Sequence, residues 1–132
     1  MGRTEGVGTV RVMLSGSHGV RDHNRGRLDA SGALLLEQVI EEDGKPPRRR
    51  SWRLVRIAGG NRFTGTISDA VGPVTGEATG NVLHLSYRSV EGVNVEQWIT
   101  LQPGGRTAHN RMTFRRFGFN VATLEGTVRR VD

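Results

Sequence analysis

The sequence predicts a single all-β domain over residues 1–132, an antiparallel up-and-down β-barrel of roughly ten short strands. Three observations carry this expectation. The 19 glycines recur along the chain at intervals that mark turns. The runs between them alternate apolar with polar residues, the pattern of half-buried strands. No stretch sustains a helical period, so there is no room for crossover helices, and successive strands must pair antiparallel with their neighbours. A sheet of this size has two edges to manage, and closure removes both. A sandwich is the structural alternative.

The strands follow in order. Gly6 to Leu14 is the first, with Val10, Val12 and Leu14 on one face, and His18 to Leu28 is a polar edge or a wide, bent strand. Leu34-Leu35-Leu36-Glu37-Gln38-Val39-Ile40 admits a short helix, but hairpin-type turns flank it, Asp29-Ala30-Ser31-Gly32 and Glu42-Asp43-Gly44-Lys45. A strand from Ala33 to Ile40 is therefore expected. Ser51 to Ile57 presents Trp52, Leu54 and Arg56 on one face; the Gly59-Gly60-Asn61 turn then leads to Phe63 to Ile67. Asp69-Ala70-Val71-Gly72-Pro73 connects to Val74 to Thr79, and Gly80-Asn81 to Val82 to Arg88. Val93 to Leu101, Arg106 to Arg115 beyond Pro103-Gly104-Gly105, and Asn120 to Val131 complete the series. Gly65 and Gly76, inside strands, suit the bends a barrel needs.

Composition removes whole classes of function. With no cysteine there is no disulfide, thiolate metal site or cysteine nucleophile. No apolar run approaches the roughly 20 residues of a membrane helix, and Met1-Gly2-Arg3-Thr4-Glu5-Gly6 lacks the hydrophobic core of a signal peptide. The chain as given is accordingly expected to be soluble and cytoplasmic. Its net charge of +6 is almost wholly arginine, Lys45 being the one lysine. Such a surface attracts anions. Nucleic acid is disfavoured among them: aromatic residues make up only 5%, too few for stacking platforms, and the arginines are spread along the chain. The one dense run, Arg48-Arg49-Arg50 after Pro46-Pro47, reads as a solvated charged turn in preference to a phosphate-binding patch.

No phosphate loop, nucleophile elbow, zinc spacing or calcium loop is present, so neither a cofactor nor a metal is expected. His18 and His23, five apart, fall on opposite strand faces and read as solvated loop residues. The informative residues lie on three neighbouring strands. Leu83, Leu85 and Tyr87 oppose His84, Ser86 and Arg88; Val95, Gln97, Ile99 and Leu101 oppose Asn94, Glu96, Trp98 and Thr100; Ala108, Asn110, Met112 and Phe114 oppose Thr107, His109, Arg111 and Thr113. If the apolar faces point inward, the default for a half-buried sheet, the charged faces are a solvated wall laced by ion pairs. If the polar faces do, Glu96 is a candidate base, His84 and His109 candidate acids or bases, and Arg88 and Arg111 anion holders. Trp98 shares the Glu96 face and would suit a cavity lining better than a wet surface. Tyr87 and Asn110 are the further ligand candidates. Asp69 reads as Asx-turn chemistry, with an acid at a cavity mouth as the alternative; an acid–base enzyme would need Glu96 or Asp69 buried beside a histidine or arginine.

A run of motifs also carries a family resemblance: Thr64-Gly65-Thr66-Ile67-Ser68-Asp69-Ala70-Val71-Gly72-Pro73-Val74-Thr75-Gly76-Glu77, Gly80-Asn81-Val82-Leu83, Trp98-Ile99-Thr100-Leu101, Asn110-Arg111-Met112 and Arg116-Phe117-Gly118, with weaker matches at Gly6-Val7-Gly8, Asp43-Gly44 and Trp52. Together these resemble a family of uncharacterised bacterial proteins, often exported and lipid-anchored, known as a domain of unknown function. The resemblance implies a lipocalin-like, calycin-type barrel and no known reaction. This chain lacks a lipobox cysteine, so the anchoring of relatives is not carried over.

The leading functional expectation is a barrel that binds a small, partly apolar molecule with an acidic group to meet arginine. The alternatives are a cofactor-independent acid–base enzyme (isomerase, cyclase or hydratase) working in the lumen, an anion or nucleic-acid surface binder, and a structural interaction module.

Overall fold

The structure, a computed structural model, describes residues 2–57 and 60–131. Ten strands fill it: β1 Arg3–Val12, β2 Gly16–Leu28, β3 Leu34–Glu42, β4 Arg48–Arg56, β5 Arg62–Ile67, β6 Ala70–Thr79, β7 Val82–Ser89, β8 Asn94–Leu101, β9 Thr107–Arg116 and β10 Phe119–Arg130. Each pairs antiparallel with its sequence neighbours, and β1 pairs with β10, so the meander is a closed barrel. No helix occurs among the described residues. β2 is therefore no edge: it pairs with β1 over residues 16–25 and with β3 over residues 20–28.

The connections alternate between two rims. The upper rim carries the β1–β2, β3–β4, β5–β6, β7–β8 and β9–β10 turns; the lower rim carries the other four connections, the start of β1 and the end of β10. The Gly59 part of the expected β4–β5 turn lies outside the described residues.

Inside and outside follow the alternation. Trp52, Leu54, Ile67, Val74, Leu85, Tyr87, Val95 and Met112 form the buried cluster, all on β4 to β9. Each such side chain taken from water contributes roughly 1.5–3 kcal/mol, which fixes the register, because a slip of one residue would turn the whole set outward. The β10–β1–β2 wall is built differently. Gly8 and Gly126 face each other across the β1–β10 seam, and a Cβ at Gly126 would stand 2.3 Å from the Val7 carbonyl oxygen and 2.7 Å from Gly8 Cα. The barrel thus closes where two backbones approach too closely for any side chain.

Most strand ends fall within a few residues of expectation, and three differences change how a residue is read. β4 begins at Arg48, so the arginine run is strand rather than turn. β6 begins at Ala70 and absorbs most of the expected connection, with a register shift between Val71 and Thr75. β1 ends at Val12: Leu14 leaves the face it was expected to share with Val10 and enters the turn at φ 66°.

Candidate functional site

The strand faces decide between the two readings of the polar residues, since Leu85, Tyr87, Val95 and Met112 are buried within the barrel. Glu96, His84, Arg88, His109, Arg111 and Trp98 consequently lie on the outer wall. There His84 stacks on Trp98 with centroids 4.9 Å apart and planes 8° off parallel. His84 Nε2 is 3.7 Å from Glu96 Oε1, Arg111 sits over the Trp98 ring at 5.9 Å, and Arg111 Nε reaches Glu125 at 3.9 Å. Trp98 is accommodated outside because the imidazole and the guanidinium cover its two sides. The same wall bears two shallow concavities, one of about 420 Å³ beside Arg25, Arg27 and Arg53 and one of about 370 Å³ beside Ser86, Glu96, Thr113 and Arg115.

Of the expected ligand residues, Tyr87 and Asn110 face the lumen, and Tyr87 belongs to the main polar constellation there. Its centre is Arg50, only 7% exposed. Arg50 shares a parity with Trp52 and Leu54 on β4, so the strand carries it inward. Its Nε donates to Asp69 Oδ1 at 2.9 Å and its Nη2 to the Tyr87 hydroxyl at 3.0 Å. The guanidinium carbon lies 5.3 Å from the Trp52 ring centroid and 5.4 Å from that of Tyr87, and those rings meet edge-to-face at 5.7 Å. Burial acts to lower the Arg50 pKa, but Tyr87 and Asp69 outweigh it and hold the guanidinium charged. Asp69, in the β5–β6 turn of the upper rim, gives its carboxylate to this arginine in place of an Asx-turn. Of the two carboxylates considered for acid–base chemistry in the lumen, Glu96 stands on the outer wall beside His84, and Asp69 stands beside an arginine, Arg50, with its carboxylate 33% exposed.

The constellation continues inward. Trp52 Nε1 donates to Gln38 Oε1 at 3.0 Å, and Gln38 Nε2 reaches Asp22 Oδ2 at 3.4 Å. Asn24 Nδ2 donates to Asp22 Oδ2 at 2.7 Å and to Thr4 Oγ1 at 3.1 Å. Gly6 makes room for this: a Cβ there would stand 2.1 Å from Asp22 Oδ1. Across the barrel Gln97 Nε2 donates to Asn110 Oδ1 at 2.8 Å. The Asn24 and Gln97 side-chain oxygens are buried without a partner, and such groups are few in folded proteins. Nearer the upper rim His18 meets the Glu42 carboxylate. Burial pushes the Glu42 carboxyl up, but the His18 hydrogen bond and nearby Lys45 more than offset it, so Glu42 titrates below its ordinary value. His18 thus belongs to β2 and faces inward, while His23 lies outside between Glu5 and Glu41.

Apolar wall completes the lumen. Leu34, Leu36, Leu83, Ile99, Phe114 and Leu124 pack against the core and stay partly exposed, Leu34 and Leu83 near the lower rim and Phe114 near the upper. A ten-stranded barrel is wider than the eight-stranded kind whose interior side chains just fill, and the inward glycines at 6, 8 and 126 fill none of it.

Comparison with solved structures finds this barrel again. The S-type phycobiliprotein lyase CPES from Guillardia theta superposes with a TM-score of 0.74 at 7% identity, over 100% of this chain and 88% of that one. Rv2717c from M. tuberculosis superposes with a TM-score of 0.75 at 12% identity, over 100% of this chain and 92% of that one. The fold is lipocalin-like, as the resemblance implied. No curated protein matches the sequence. Over residues 18–130 the sequence matches the model of the protein family of unknown function DUF3833, and the chain belongs to that family.

Proposed function

We propose that the barrel binds a small, partly apolar molecule bearing an acidic group, taken into the lumen and anchored at Arg50. The observation that carries this is a charged arginine buried inside the barrel against two aromatic rings. Burying a charge is costly, and one aspartate and one tyrosine use only two of the five N–H donors a guanidinium offers. The remaining donors suit a carboxylate or phosphate. The partly exposed leucines, Ile99 and Phe114 suit an apolar body, and the unpaired oxygens of Asn24 and Gln97 suit a donor group at its far end. Likeness at 7% identity extends to fold alone, so the ligand class rests on this chain's own residues.

Trp52 supplies the test. The chain has two tryptophans, so Trp98→Phe leaves Trp52 as the sole reporter beside Arg50. Titration with a long-chain fatty acid is expected to change Trp52 emission, with affinity about tenfold weaker for the matching alcohol and for the Arg50→Met variant. Equal response to acid and alcohol, or none to either, refutes the acid-anchoring reading.

A further inference from the structure

Three of the five upper-rim turns differ from the other turns described. The described lower-rim turns use ordinary turn formers: Asp29-Ala30-Ser31-Gly32, Gly60-Asn61, Gly80-Asn81 and Pro103-Gly104-Gly105. On the upper rim, three hairpins in a row around the barrel (β7–β8, β9–β10 and β1–β2) instead put Val90, Phe117 and Leu14 at their tips. Leu14 is 100% exposed and Phe117 90%, with Met13 and Phe119 exposed beside them.

Leu14 and Phe117 are also the only non-glycine residues at positive φ among those described, at 66° and 53°. Phe117 and Gly118 are the two central residues of a tight hairpin between the paired Arg116 and Phe119, with φ positive at both. Asn-Gly is the favoured pair there. An exposed phenylalanine in the asparagine place carries both strain and hydration cost, and folding gains nothing from it. The three tips are held together: Met13 N–H donates to the Val121 carbonyl at 3.0 Å, and Arg116 Nη2 to the Glu91 carbonyl at 2.9 Å. Over residues 9–18, 87–94 and 114–122 the charges are Arg11, Arg88, Arg115 and Arg116, all exposed, against the single acid Glu91.

We propose that this arc of the upper rim docks on an anionic lipid surface. The apolar side chains stand on the tips of three separate hairpins, which fits insertion into a bilayer interface better than a partner's knob. Leu14 and Phe117 at the apices reach the acyl boundary, and the arginines behind them meet lipid phosphates. The proposal is independent of the lumen reading, since no residue of the Arg50 constellation takes part.

Flotation with phosphatidylcholine vesicles, with and without phosphatidylglycerol, tests it. The protein is expected to float with the anionic vesicles, less at high salt, and to remain behind with pure phosphatidylcholine. The Leu14→Gly/Phe117→Asn variant places in both turns the residues their φ angles favour, so it keeps or raises the melting temperature while vesicle binding falls more than about tenfold. Leu101→Ser, on the lower rim, is expected to float like the wild type. Absence of flotation, a double variant that floats as well as the wild type, or an equal loss in Leu101→Ser overturns the proposal. A dimer that forms without vesicles and is abolished by the double variant also overturns it, in favour of a second copy as the occupant.

Discussion

Removing either member of the Arg50–Asp69 pair has an outcome that burial fixes in sign and order. Asp69→Asn strips the counter-charge from a guanidinium that is 7% exposed. An orphaned buried charge costs about 3–5 kcal/mol, and solvent near the rim brings the expectation to about 3. Arg50→Met keeps the apolar stem and leaves behind a carboxylate that is 33% exposed and can rehydrate. It also loses the Tyr87 hydrogen bond and two cation–π contacts of roughly 0.5–1 kcal/mol each, for about 2 kcal/mol in all. The double variant leaves no charge unpaired and is expected to lose about 2–3 kcal/mol in place of the roughly 5 that the single losses sum to, a coupling of about 2 kcal/mol. Urea unfolding with unchanged m-values measures all four proteins; for a chain of this size 3 kcal/mol corresponds to roughly 10 °C in Tm. Losses that add within about 0.5 kcal/mol, or Arg50→Met costing more than Asp69→Asn, refute the assignment of the pair as buried and coupled.

Gly126→Ala is expected to cost about 1–3 kcal/mol because its Cβ would force β1 away from β10; an unchanged urea midpoint contradicts the close seam. His23 has its pKa raised above 6.5 by hydrogen bonds to Glu41 first and to Glu5 second. Its small contribution is full below pH 6.5 and lost as pH rises through the folded pKa, so an NMR titration midpoint at or below 6.5 would contradict the bridge. Glu96→Gln, on the outer wall, is expected to alter stability by no more than about 0.5 kcal/mol, and a large loss in urea unfolding would show that Glu96 is not surface-placed.

The barrel was legible because its signal is local. Leu83, Leu85 and Tyr87 alternate with His84, Ser86 and Arg88, and the turn residues between strands leave only a meander to build. The candidate site was less legible because it is assembled across the barrel. Arg50 was hidden by its neighbours: three consecutive arginines after two prolines look like a turn. The available clue was parity, since stepping back by two from Leu54 and Trp52 arrives at Arg50 on the same inward face. Asp69 could not be paired with Arg50 from sequence, because the two are joined only through closure of β4 and β5 and the turn beyond. His18 and Asp22 sit on a strand so polar that its inward face has no apolar stripe to announce it. Leu14 misled in the opposite sense, since its hydrophobicity continues the β1 pattern past the point where the backbone has already turned.

The central claim is that the lumen is a ligand site, and native mass spectrometry of the purified protein beside a denatured control tests it most directly. After incubation with a panel of fatty acids and polyketide-like acids, the wild type is expected to carry one adduct per chain, absent from the denatured control and reduced in Arg50→Met. A wild type that remains at its bare mass across the whole panel, or an adduct retained undiminished by Arg50→Met, would contradict it.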